Sequence, residues 1–153
     1  MKPMTFERTI AVDVQAVWSV MTDVRRYAER FSGVDAATLL TEGPFGIGTR
    51  WRETRTVYGR PTTLILNVID AEVPLRYVTE AHAGARATTE FVFTPVDDGR
   101  RTLIRVTFQT TGGSAVHRLG QFLAARRIRE CVVENNTQDL TDLARACEAV
   151  DRK

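Results

Sequence analysis

Ile10-Ala11-Val12-Asp13-Val14-Gln15-Ala16-Val17-Trp18-Ser19-Val20-Met21-Thr22-Asp23 holds the transition on which the fold turns. Just before it, Phe6, Arg8 and Ile10 alternate with Thr5, Glu7 and Thr9, the period of two that suits a strand. Within it the period changes. Asp13 stands where an N-cap accepts free amide hydrogens, and Val14, Val17, Trp18 and Met21 then line one helical face. A second short helix is expected around Arg25 to Arg30, ending near Ser32-Gly33.

Six strand-like runs follow, separated by turn residues. Val34 to Thr41 is broken by Glu42-Gly43-Pro44-Phe45-Gly46-Ile47-Gly48, with glycines where the backbone must turn sharply. Thr49 to Tyr58 reverses at Gly59-Arg60-Pro61, and Thr62 to Ala71 stops near Pro74. Leu75 to His82 turns at Ala83-Gly84-Ala85, and Arg86 to Thr94 turns at Asp97-Asp98-Gly99, a strong hairpin signal. Thr102 to Thr111 ends at Gly112-Gly113. From Ser114, a suitable N-cap, to about Val150 there is no proline and one glycine, Gly120. Leu119, Phe122, Leu123, Ile128, Cys131, Val132, Asn135, Leu140, Leu143, Ala144 and Cys147 recur there at three-to-four spacing, the mark of one long amphipathic helix.

Consecutive strands joined by short turns pair antiparallel. The expected fold is α+β: a seven-stranded curved antiparallel sheet wrapped on a long C-terminal helix, with two short helices after strand 1. A sheet of that width twists and curls. The space between it and a single helix is where a cavity is expected, a fully packed core being the alternative.

The bulk properties narrow the classes. The 153 residues fit one domain spanning 1–153, with 43% hydrophobic and 26% charged residues, ordinary globular values. No stretch approaches the roughly 18 uninterrupted apolar residues of a membrane span, so no integral membrane segment is expected. The first residues carry no apolar run like a signal peptide's, which makes the cytoplasm the default location. Net charge is +2, almost all the basic residues being arginine. Arg118, Arg126, Arg127 and Arg129 spread around the helix, and Glu130, Glu134, Asp139 and Asp142 follow. That pattern suits a solvated face and no nucleic-acid partner. Cys131 and Cys147 lie sixteen apart in one helix, too far to pair, and are read as core packing. Metal-ligand spacing, a phosphate loop and a nucleophile elbow are absent, so neither a metal nor a cofactor is expected.

The order of elements resembles the START-like, or helix-grip, superfamily, and particular residues sharpen the match. Ile10 to Asp23, with its apolar-x-x-Trp pattern followed by aspartate, resembles the opening of the polyketide cyclase/dehydrase and lipid-transport (SRPBCC) family. Glu42 to Trp51 resembles its glycine-bearing turn, Pro74-Leu75-Arg76-Tyr77 its proline-led strand, and Asp98-Gly99-Arg100-Arg101-Thr102 its Gly-x-x-Thr hairpin. The resemblance implies a protein that binds a small hydrophobic ligand, a lipid, polyketide or similar molecule, in an internal cavity as carrier or sensor. As the alternative, placed second, it admits a polyketide aromatase/cyclase or dehydratase using acid/base residues in that cavity. A monomer or a homodimer is compatible with it. The family shares a cavity, not a catalytic triad, so it transfers no catalytic residues.

Strand alternation selects candidate cavity residues. In the run from Trp51 to Val57, turning Trp51 and Val57 inward also turns Glu53 and Arg55 inward. Such a pair must salt-bridge or meet a polar ligand group; the alternative, ordinary for charged residues, is a strand twisting near an edge with both charges wet. Tyr77 shares a face with Thr79 and Ala81 and is a candidate acid or ligand donor, although such tyrosines more often serve as amphipathic lining. Glu53 and Tyr77 are thus the catalytic candidates. The candidate ligand contacts are Trp51, Glu53, Arg55 and Tyr77, the strand pair Phe91 and Phe93 and Phe108 beside Val106 (pocket wall or packed core), and Asn135 on the helix stripe, the alternative there being a helix margin facing water. His82 and His117 titrate in the right range but are expected to be exposed, and Trp18 is read as core.

Overall fold

The computed structural model describes residues 2–57, 59–82, 84–112 and 115–151, without the side chains of 115–125, 128 and 151. The elements are β1 (Met4–Ile10), α1 (Val14–Met21), a 3-10 turn (Val24–Arg26) running into α2 (Tyr27–Arg30), β2 (Val34–Leu39), β3 (Arg50–Val57), β4 (Arg60–Glu72), β5 (Arg76–His82), β6 (Arg86–Val96), β7 (Arg101–Thr111) and α3 (Ala115–Asp151). The seven strands form one antiparallel sheet in the order β1-β7-β6-β5-β4-β3-β2. β1 and β2 are therefore consecutive strands on opposite edges, and the segment carrying α1 and α2 spans the sheet between them. Bulges between Val34 and Ala36 and between Val68 and Asp70 add local bends to the sheet.

Local chemistry accounts for the boundaries. Asp13 caps α1, its Oδ1 accepting from the Ala16 amide at 2.8 Å. Asp97, Asp98 and Gly99 all take positive φ values (54°, 56° and 81°) in the β6–β7 turn, a conformation for which Asp and Gly are suited. Two prolines depart from expectation. The sequence reading puts Pro61 in a turn and Pro95 beyond its strand, yet Pro61 pairs with Thr56 inside β4 and Pro95 with Thr102 inside β6. The β4–β5 pairing begins only at Asn67, so the part of β4 holding Pro61 has a neighbour on one side alone and its missing N–H costs no ladder bond. The expected N-cap Ser114 and the apolar positions Leu119, Phe122, Leu123 and Ile128 lie outside the described side chains.

The core centres on Trp18, whose ring meets Phe45, Tyr77 and Phe93 edge-on at centroid distances of 6.0, 5.8 and 6.1 Å. Val17, Val20 and Met21 from α1 are buried around it, with Ile10 and Ile104 from the sheet and Leu140, Leu143, Ala144 and Cys147 from α3. The Val, Ile, Leu and Met side chains among these each contribute about 1.5–3 kcal/mol by leaving water. Cys147 is fully buried and Cys131 half-buried, both free, as packing residues. Burial pushes the Cys147 thiol up to about 12, so it stays protonated and inert.

Two buried polar contacts fix the layers. The Thr102 hydroxyl donates to the Val12 carbonyl at 2.9 Å, tying the β1–α1 corner to the sheet. Asp142 of α3, 1% exposed, accepts from the amide and the hydroxyl of Ser32, both at 2.8 Å. Gln138 and Arg145 complete its shell at 2.9 and 3.2 Å. Burial alone raises this carboxyl. The amide and hydroxyl of Ser32, the amide of Gln138 and the charge of Arg145 more than offset it and hold Asp142 below the usual range.

Candidate functional site

Between the curled sheet and α3 lies a cavity of about 320 Å³. Its wall follows strand alternation. Trp51, Glu53, Arg55 and Val57 of β3, Thr62, Leu64 and Leu66 of β4, and Tyr77, Thr79 and Ala81 of β5 line it, each set two residues apart. β6 and β7 continue the wall, α2 and its flank add Tyr27 and Phe31, and α3 closes it with residues between Val132 and Leu143.

One ionic cluster interrupts this mostly apolar lining. Arg55 Nε donates to Glu53 Oε1 at 2.6 Å. Its two Nη atoms grip Asp139 of α3, Nη1 to Oδ1 at 3.1 Å and Nη2 to Oδ2 at 3.0 Å. The Trp51 indole N–H donates to Glu53 Oε2 at 2.9 Å, so both oxygens of Glu53 are engaged. Glu53 is 8% exposed. Buried carboxylates of this kind persist because they are paired and hydrogen-bonded.

Gly33, between α2 and β2, makes room for the cluster: a Cβ built there would lie 3.0 Å from Arg55 Nη1. Burial lowers the Arg55 guanidinium, but Asp139 and Glu53 outweigh it and hold the side chain charged. Asp139 moves the other way. Burial raises its carboxyl, and the nearby negative charges of Glu53 and Asp142 add to this. Arg55 offsets only part, leaving Asp139 above the usual carboxylate range.

A second polar chain runs beside the first. The Tyr77 and Tyr27 phenols, both on the cavity wall, interact electrostatically. Tyr27 in turn donates to the Met21 carbonyl at the end of α1. Both phenols are buried, and burial raises both well above their ordinary value. Neither ionises at neutral pH.

Seven of the eight expected contact residues line this cavity: Trp51, Glu53, Arg55, Tyr77, Phe91, Phe108 and Asn135. Phe93 shares the inward face but is 1% exposed, packed against Trp18 in the core, and is not among the lining residues. Glu53 and Arg55 are paired with each other and not wet. The Tyr77 phenol lies at the cavity wall, where burial raises it well above its ordinary value. His82 is exposed on the outer face, where it and Arg86 hold Glu80 below the usual carboxylate range; the side chain of His117 lies outside the described residues.

Three residues escape sequence reasoning: Asp139, Gly33 and Tyr27. The signal for Asp139 is its position, four residues after Asn135 and four before Leu143 on the inward stripe. No sequence signal marks Gly33 beyond its place at a helix end.

Fold and site together define a helix-grip protein, a curved antiparallel sheet closed on a ligand-sized cavity by its last helix. The chain belongs to the family described as Polyketide cyclase / dehydrase and lipid transport, whose sequence pattern it matches over residues 1–148. No curated protein matches the sequence. Among solved structures it is similar to the protein TTHA0849 from Thermus thermophilus, with a TM-score of 0.81, 17% identity, and coverage of 97% of this chain and 99% of that one. A START superfamily protein from Mycobacterium smegmatis gives 0.78 at 13% identity, covering 97% and 98%. The ZhuI aromatase/cyclase from Streptomyces sp. R1128 gives 0.77 at 20% identity, covering 96% and 93%. Among the described residues no helix is long and apolar enough to cross a membrane.

Proposed function

We propose that the chain binds a small hydrophobic ligand, a lipid, polyketide or similar molecule, in the cavity between sheet and α3, as a carrier or sensor. The observation that carries this reading is unfilled space of about 320 Å³ behind a mostly apolar wall. That volume lies at the lower end of the roughly 300–1,000 Å³ typical of small-molecule sites. Trp51, Tyr77, Phe91 and Phe108 are its apolar contacts, and Glu53, Arg55, Asn135 and Asp139 its polar ones. A pure interaction module needs no such void, because packed interiors leave few spaces larger than a water molecule.

The test is native mass spectrometry of freshly purified protein, followed by titration of the emptied protein with the uncharged fluorophore N-phenyl-1-naphthylamine. A co-purifying apolar molecule or saturable, one-to-one probe binding is expected. Neither would sink the reading.

The raised carboxyl of Asp139 favours a second reading, an aromatase/cyclase or dehydratase acting on a poly-β-keto chain. That chemistry needs a base beside a carbonyl inside a water-poor site, and Asp139 and Glu53 are its candidates. The family's description spans both transport and cyclisation. Incubation with a poly-β-keto chain supplied by a minimal synthase tests it: the ring pattern should change, and Asp139→Asn and Glu53→Gln should each reverse the change while the protein stays folded. An unchanged product pattern with wild-type protein leaves the binding reading alone.

A further inference from the structure

The polar part of the cavity wall is unbalanced in two respects. The first is charge. Among the described lining residues the ionic side chains are Glu53, Arg55 and Asp139, two carboxylates about one guanidinium. Arg55 is already held on its Nε, Nη1 and Nη2 nitrogens. An anionic ligand that takes Arg55 as its partner therefore competes with two carboxylates already held on that one guanidinium. An anion elsewhere in the cavity faces the excess negative charge across a medium that screens poorly.

The second imbalance is in hydrogen-bond roles. The Tyr77 phenol oxygen, at the cavity wall, carries lone pairs that can accept from a ligand. The side-chain amide nitrogen of Asn136 donates to the Val132 carbonyl at 2.9 Å, and that of Asn135 is turned to Cys131 Sγ at 3.5 Å. Both amides thus spend a donor on their own helix. Asp139, its side chain 28% exposed, has carboxylate lone pairs beyond those that accept from Arg55. The wall therefore carries acceptor-only carboxylate oxygens, while its hydroxyls on Thr62, Thr79 and Thr89 can accept as well as donate.

We infer that the cavity selects apolar ligands ending in a neutral or cationic hydrogen-bond donor (a phenol, an alcohol or an amine) and rejects those ending in a carboxylate or phosphate. This rests on the cavity being a binding site and adds to it the class of ligand admitted. Free fatty acids and phospholipid headgroups are excluded by it. The donor end meets Asp139 and the Tyr77 oxygen, and the apolar body lies toward Ala81, Ala87 and Phe91.

Four probes of one shape test it: 4-butylphenol, 4-butylbenzylamine, 4-butylbenzoate and butylbenzene, measured by equilibrium dialysis near neutral pH. The phenol and the amine are expected to bind at least about tenfold more tightly than the benzoate, with butylbenzene weaker than the phenol. Asp139→Asn, which cancels the excess charge while keeping a similar shape, should strengthen benzoate binding and weaken the amine severalfold. Benzoate binding equal to or better than phenol overturns the inference and leaves the cavity reading standing. Butylbenzene binding as tightly as the phenol does the same, since the polar wall then contributes nothing. Binding of none of the four overturns both together. Measuring the thermal transition of Asp139→Asn alongside separates a lost fold from a changed preference.

Discussion

The two ends of this interior are built on the same strands and end differently. At one end Trp18, Phe93, Val20 and Ile10 fill the space; at the other the sheet and helix stand apart. Side-chain volume along the inward rows accounts for the difference. β5 presents Tyr77, then Thr79, then Ala81, and β6 presents Phe93, Phe91, Thr89 and Ala87 toward the same hairpin. Both rows taper to alanine, and curvature does the rest. A hollow in a protein need not come from an unusual backbone; a gradient of residue size across a regular sheet suffices.

Truncations at the two ends give the largest contrast. Phe93→Ala should cost about 4 kcal/mol, because the surrounding rings cannot collapse into the void, whereas Phe91→Ala, already beside open space, should cost about half as much. Urea denaturation with a shared slope measures both. A Phe93→Ala loss no larger than that of Phe91→Ala would move Phe93 to the cavity wall.

The two aspartates of α3 sharpen the same contrast electrostatically. Asp142 sits in the filled half with its carboxyl held down, so its contribution is present above its ordinary value of 3.8 and is lost as pH falls through its folded value. Asp142→Asn should therefore cost about 2 kcal/mol near neutral pH and progressively less in acid. Asp139, on the hollow side, is raised. Its contribution is complete below 3.8 and is lost as pH rises through its folded value, so Asp139→Asn should flatten the decline on that side. Thermal melts across pH read both, and parallel profiles for the two variants would contradict the assignment.

Smaller effects probe the join between the halves. Gly33→Ala pushes against Arg55 and should cost about 1 kcal/mol, with reduced affinity for the donor probes. Ala87→Leu fills part of the cavity. Its stability should stay within about 1 kcal/mol of wild type while N-phenyl-1-naphthylamine binding falls at least about tenfold. Undiminished probe binding would place the ligand elsewhere.

The sequence discloses the architecture more fully than the site. Alternation and turn residues locate every strand, because a two-residue period and a glycine-marked reversal are local properties. Phe91 and Phe93 are indistinguishable by that rule: both point inward, and only the position of Trp18 separates core from wall. In the sequence Asp139 looks like one more acid on a solvated helix. Its role depends on where α3 lies over β3, 84 residues away from Arg55 in the chain. Tyr27 is hidden for a similar reason, since its partners come from α1 and β5.

The two buried phenols, Tyr77 and the Tyr27 that donates to the Met21 carbonyl, give the molecule a reporter of its own. Both phenolic protons are enclosed, so they should exchange with bulk solvent slowly enough for proton NMR to resolve them as separate downfield lines. Their lifetimes then count how often water reaches the back of the cavity. An occupant that seals the space should lengthen those lifetimes without touching either ring.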